Sequence, residues 1–112
     1  MGLEAWCDGA CNNTIGVMGC GAFAVFDGRR VFESSFSPQF LGSSNVAEWL
    51  ALVDLLKYLS TSPYRDELIT VYLDSMLVVQ QFRGQWGFKL KHLEVINREA
   101  QRYAKGLRLT AI

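Results

Sequence analysis

Asp27-Gly28 sits between two runs rich in apolar and β-forming residues, 19–26 and 29–36. An Asp-Gly pair in that setting is a strong hairpin signal, because both residues accept the positive φ that a two-residue turn demands. The two runs are therefore expected as neighbouring antiparallel strands. Upstream, residues 3–8 alternate. Leu3, Ala5 and Cys7 share one face while Glu4, Trp6 and Asp8 share the other, the pattern of a short strand. A loop containing Asn12, Asn13 and Gly16 joins that strand to the hairpin, so three antiparallel strands open the chain.

Beyond the hairpin the period changes. Ser43-Ser44-Asn45 begins a helix, with Asn45 as the expected N-cap and Glu48 three residues on. It runs to about Ser60 and stops before Ser62-Pro63. Residues 68–73 are rich in β-formers and end at Asp74-Ser75, where a second helix starts and lasts to Gly84. A third runs from about Leu90 to Lys105 and closes at Gly106, the expected C′ glycine. Its buried stripe is Leu93, Ile96, Ala100 and Tyr103, with Lys91, Arg98, Arg102 and Lys105 outward. Residues 107–112 read as a last strand. The order βββαβααβ predicts an α/β fold with a mixed five-stranded sheet, three antiparallel strands followed by parallel additions. Helices are expected on both faces, and residues 1–112 form one domain.

Half of the residues are apolar, so a packed core is available and disorder is not expected. No apolar run is long enough to span a bilayer, and Met1-Gly2-Leu3-Glu4 is too short and acidic for a signal peptide. Cys7, Cys11 and Cys20 contain no CxxC pair, which argues against a structural zinc site, and an odd count argues against a disulfide framework. The reading is a cytoplasmic protein with reduced thiols and no membrane association. Net charge is zero but unevenly spread. Residues 1–82 carry four Lys/Arg against nine Asp/Glu, and residues 83–112 carry seven against two. An acidic front and a basic back suit a polyanion handled with metal ions, although a solvated basic helix face gives the same count.

Three acids stand out. Glu48 continues the stripe Leu52, Leu55 and Leu59, where a carboxylate is costly unless paired, protonated or bound to a cation. Asp74 ends a strand expected to be parallel, the usual place for ligand sites in α/β sheets. Asp8 ends the first strand beside a Gly-containing loop. Each also has an ordinary role open to it: a capping-box glutamate, an N-cap before Met76, and a turn aspartate before Gly9.

Taken in order, the segments Cys7-Asp8-Gly9-Ala10, Ser44-Asn45-Val46-Ala47-Glu48-Trp49-Leu50-Ala51-Leu52 and Leu73-Asp74-Ser75-Met76-Leu77-Val78-Val79-Gln80-Gln81 resemble the ribonuclease H family. Gly84-Gln85-Trp86 with Lys89 and Lys91 resembles its compact bacterial and archaeal branch, which lacks a basic protrusion. The resemblance implies an endonuclease that cuts the RNA strand of RNA–DNA hybrids with two Mg²⁺ ions, Mn²⁺ substituting. It implies that Asp8 bridges both metals while Glu48 and Asp74 complete the site of the second. It also implies hybrid-binding roles for Asn45 with Ser44, for Asn12 or Asn13 from the first loop, and for Trp86, Lys89 and Lys91. Ser43-Ser44 departs from the family's more usual Thr-Asn.

One departure is larger. The family's fourth acid follows the last strand at the start of a final helix, and no residue of Leu109-Thr110-Ala111-Ile112 matches it. Three readings stay open: a truncated chain, a weakly active protein, or a ligand supplied by another group. Truncation is favoured, because a last strand without its helix leaves sheet surface exposed. A 112-residue chain of this kind is expected to pair with a second copy through its C-terminal sheet region. Two other functions remain: a non-catalytic nucleic-acid or protein-binding module, and another nuclease on the same fold, such as a junction resolvase or proofreading exonuclease.

Overall fold

A computed structural model of the chain describes residues 2–111. Strand β1 (Gly2–Cys11) pairs antiparallel with β2 (Met18–Phe26), and β2 turns back as β3 (Arg29–Phe36). Asp27 and Gly28 both hold positive φ, 54° and 74°, as a two-residue hairpin turn matched to strand twist requires. Helix α1 (Ser44–Thr61) crosses over to β4 (Leu68–Tyr72), which lies parallel to β1. Helices α2 (Met76–Phe82) and α3 (Lys91–Ala104) then lead to β5 (Arg108–Ala111), parallel to β4. The sheet order is β3-β2-β1-β4-β5, the mixed five-stranded sheet expected from the sequence.

The helices do not divide between the two faces as expected. Helix α1 packs on β1 and β2, and α2 and α3 pack on α1, so all three share one side. Chain topology explains this. Both crossovers, from β3 to β4 and from β4 to β5, advance in the same direction along the sheet. Right-handed connections that advance the same way deposit their helices on the same face.

Helix α1 is the centre of the molecule. Trp49, Ala51, Leu52, Leu55, Leu56 and Leu59 are each at most 1% exposed, and with buried Val46, Ala47 and Val53 they take up most of the helix's circumference, as expected of one enclosed by sheet and helices together. Small residues set how close it lies to the sheet: Ala5, Gly9, Ala22 and Ala24 on the strands face Ala47 and Ala51. The closest approach is at Gly9. A Cβ there would overlap the carbonyl of Ala47 and the amide of Glu48, so β1 and the first turn of α1 touch backbone to backbone.

The opposite face is partly exposed and carries a row of rings. Arg30 lies over Phe23 at 4.3 Å, Phe23 stacks on Trp6 at 4.8 Å, and Trp6 stacks on Tyr72 at 5.1 Å. The Tyr72 hydroxyl donates to Glu4 at 2.7 Å. Offset stacking of this kind adds to area burial and ties four neighbouring strands together. At the far edge β5 is the outer strand, the edge that the expected pairing with a second copy would use; Ile112 lies outside the described residues.

Gly9→Ala is expected to cost roughly 3 kcal/mol or more, because backbone on both sides leaves nothing flexible to yield. Gly19→Ala, whose Cβ would meet nothing within 4 Å, is the control and should be close to neutral. Urea denaturation of the two variants measures the difference.

Candidate active site

Strands β1 and β4 are paired as far as Trp6 and Tyr72. Asp8 and Asp74 each follow two residues later, so two carboxylates stand at the same level just past the parallel pairing, Asp8 still within β1 and Asp74 beyond the end of β4. Such ends open into the crevice where α/β sheets bind ligands. The backbone contact at Gly9 brings the first turn of α1, and with it Glu48, to the same place. Asp8 and Asp74 are exposed and line one shallow cleft of about 970 Å³ on the aromatic face, while Glu48 is half-buried.

Glu48 lies within the field of the other two acids. Burial pushes the Glu48 carboxyl above its ordinary value, the negative charges of Asp8 and Asp74 add to the rise, and a hydrogen bond from Ser75 opposes it. The same field reaches Cys7, whose thiol is pushed up to about 12 by burial first and by Asp8 and Glu48 next. That thiol is a core residue, not a nucleophile. Among the described residues no three His, Cys, Asp or Glu side chains are gathered closely enough to cage an ion as they stand, consistent with like charges holding one another off. The donor chemistry nevertheless fits a hard divalent cation. The three groups offer carboxylate oxygen only, and two of them are exposed enough to reorient.

The ordinary roles open to these acids are filled by other residues. Ser43 caps α1, accepting from the Val46 amide at 3.3 Å, so Glu48 does not stand at the third position of a capping box and Asn45 is not the expected cap. Ser75, not Asp74, caps α2, accepting from the Val78 amide at 3.2 Å. Asp8 lies within β1 rather than in a turn, opposite Gly21. Hydroxyls cap both helices, which leaves the carboxylates free.

The other expected contacts fall on two adjoining surfaces. Asn12 and Asn13 are exposed in the β1–β2 loop, and Ser44 is exposed at the start of α1. That loop is fastened to the entry of α1 by a two-way backbone bridge between Gly16 and Gly42, at 2.8 and 3.0 Å. Asn45, Trp86 and Lys89 line a second cleft of about 800 Å³ with Gln81, Gln85 and Leu90. Lys91 is exposed at the start of α3 and is not part of that lining.

Two residues of consequence are not evident from sequence patterns. Ser75 caps α2 and also favours the charged form of Glu48; its position before a helical run was the available signal. Gln81 is buried, accepts from the indole of Trp49 at 3.2 Å and donates to the Gly87 carbonyl at 3.1 Å. It thereby fastens the Trp86 loop to α1, and a glutamine in a helical run carries no mark of such a role.

Neither the known protein-family models nor the curated proteins contain a match to this sequence. Solved structures do match. The N-terminal RNase H domain of Rv2228c from Mycobacterium tuberculosis superposes with a TM-score of 0.90 at 25% identity, over 99% of this chain and 85% of that one. RNase H1 from the halophilic archaeon Halobacterium salinarum gives 0.87 at 26% identity, over 100% and 86%. The chain has the ribonuclease H fold. LC11-RNase H1, solved in complex with an RNA/DNA hybrid, shares that fold with a TM-score of 0.87 at 23% identity, over 98% and 83%. This ribonuclease H-type chain therefore presents the type 1 fold across nearly its whole length.

Because folding raises the Glu48 pKa, the folded state holds that proton more tightly than the unfolded chain does. The associated stability is present below the unfolded value and lost as pH rises through the folded one. Glu48→Gln is therefore expected to melt a few degrees above the parent near pH 7 in EDTA, with the gain fading by about pH 4. Thermal denaturation across that range tests the sign. Gln81→Leu strands the Trp49 indole N–H without an acceptor and is expected to cost roughly 1–3 kcal/mol in urea denaturation.

Proposed function

We propose that this chain hydrolyses the RNA strand of RNA–DNA hybrids, with Asp8, Glu48 and Asp74 holding Mg²⁺, or Mn²⁺ in its place. The observation that carries the reading is three acids freed from capping and turn roles: Asp8 and Asp74 stand level with one another past the parallel pairing of β1 and β4, and their charges reach Glu48 in α1. Keeping such a cluster is costly unless a cation offsets it. Magnesium bound there supplies a polarised water and stabilises charge on the leaving oxygen.

The chain's own groups prepare that site. The Gly9 contact fixes how far Glu48 stands from β1. Ser75 favours the ionised form of Glu48 and works against the effect of burial. Asp8, within β1, and Asp74, just past β4, both with exposed side chains, would hold the ion together with Glu48. Asn12, Asn13, Ser44 and Asn45 offer amide and hydroxyl groups suited to 2′-hydroxyls, which distinguish an RNA strand from DNA. Trp86 and Lys89, across the second cleft, offer a flat apolar face and a phosphate-seeking charge for the other strand. The hybrid seen with LC11-RNase H1 supports this choice of substrate.

A labelled hybrid incubated with the chain in Mg²⁺ or Mn²⁺ tests the proposal. Cleavage of the RNA strand is expected, stronger with Mn²⁺, whose geometry is less strict, and abolished by EDTA. Asp8→Asn and Asp74→Asn are each expected to lower the rate by roughly a hundredfold or more while the fold persists. Parental rates in both variants would sink the site. Binding in EDTA without cleavage in either ion would identify a binding module instead.

A further inference from the structure

Four large apolar side chains stand exposed together beside the proposed site. Ile15 and Val17 are 68% and 57% exposed in the β1–β2 loop, and Phe40 and Leu41 are 57% and 65% exposed before α1. The Gly16–Gly42 bridge joins the two segments that carry them, and antiparallel pairing there sets Val17 opposite Leu41. This is a held surface. Gly42 accepts from Gly16 and from the Cys11 thiol, at 2.8 and 3.1 Å, and a Cβ on Gly42 would lie 2.6 Å from the Met18 sulfur. The Ser37 hydroxyl donates to the Met18 carbonyl at 2.7 Å, fastening the same junction from the end of β3. Apolar groups fixed in water at one spot on a small domain mark a contact surface.

We propose that Ile15, Val17, Phe40 and Leu41 form an apolar rim that seats on the sugar faces of the hybrid's minor groove. The proposal rests on the reading of this chain as a hybrid-cleaving enzyme and names a contact that reading does not contain. Three observations select the duplex over a protein. The rim lies on the same bridged platform as Asn12, Asn13, Ser44 and Asn45, so a duplex reaching those groups passes over it, whereas a docked protein would block them. No charged residue lies between Asp8 and Asp27 or between Glu33 and Glu48, so this platform holds its ligand without pairing to phosphate. The A-like minor groove is wide and shallow and offers sugar carbons beside its 2′-hydroxyls, and proteins that enter minor grooves use Ile, Leu and Phe there. Asn45 links this rim to the second cleft, where Trp86 and Leu90 continue the apolar track.

The chemistry makes a specific demand on salt dependence. Phosphate contacts release counterions and give affinity its salt slope, and apolar contacts do not. The test is hybrid binding by fluorescence anisotropy in EDTA, across a range of salt, for the parent and for the double variant Phe40→Ser, Leu41→Ser. Affinity is expected to fall about tenfold at every salt concentration, with the slope unchanged. Leu41→Met, which keeps the apolar surface, should bind as the parent does. Thermal denaturation should show the double variant folded, since both side chains are exposed. Parental affinity in the folded double variant overturns the rim and leaves it to a protein partner; a changed slope overturns it equally. A parent chain that binds no hybrid defeats the functional reading itself, and the two failures are thereby told apart.

Discussion

At Gly9 the backbone of β1 meets the first turn of α1 with no side chain between them. A helix seated on a sheet ordinarily keeps a layer of side chains between the two backbones. Here that layer is absent, and the distance between Asp8 and Glu48 is set by main-chain contact, which side-chain repacking cannot relax. The alanines at positions 5, 22, 24, 47 and 51 extend the same close approach along the crossing. On its other side Trp49 of α1 packs against Phe82 of α2 and Phe88 of the segment between α2 and α3.

Electrostatic strain is concentrated where that contact ends. Glu48 is the half-buried member of the acid trio, and burial together with two negative neighbours works against its charge. Ser75 works for it while capping α2. One hydroxyl thus serves both a helix and a carboxylate, which explains how Asp74, beside it, is released from capping. A site that is unfavourable for the fold alone is characteristic of places prepared for a ligand.

The surface around the acids is divided by character. Polar and apolar groups without charge occupy the bridged loops on one side, and Trp86 with Lys89 occupies the second cleft. Buried bonds hold both in place: the Gly16–Gly42 bridge for the first and the Trp49–Gln81–Gly87 chain for the second. The first anchor ends at Gly42, just before α1, and the second at Trp49, next to Glu48. The groups proposed for catalysis and for substrate contact therefore share one rigid reference.

Local chemistry was enough to determine the elements. The Asp27-Gly28 turn, the alternation of Leu3 through Asp8 and the stripe of Leu93, Ile96, Ala100 and Tyr103 each follow from rules that act over a few residues, and each stands in the fold. Glu48 drew notice for the same reason, since it stands in an apolar stripe, whereas Asp8 and Asp74 stood out by their places near strand ends and by the resemblance of their segments. Several features depended instead on residues far apart in the chain. Which residue caps α1 turned on the entry geometry set by Gly42 against Met18, and the cap is Ser43 where local preference pointed to Asn45. The side of the sheet taken by the helices followed from two crossovers advancing the same way, a property of strand order that no single segment contains. The roles of Ser75 and Gln81 exist only because α2 lies against α1. Sequence fixes what a residue can do within its own turn or strand; tertiary packing decides which distant group it meets, because that is settled by the lowest-energy arrangement of the whole core.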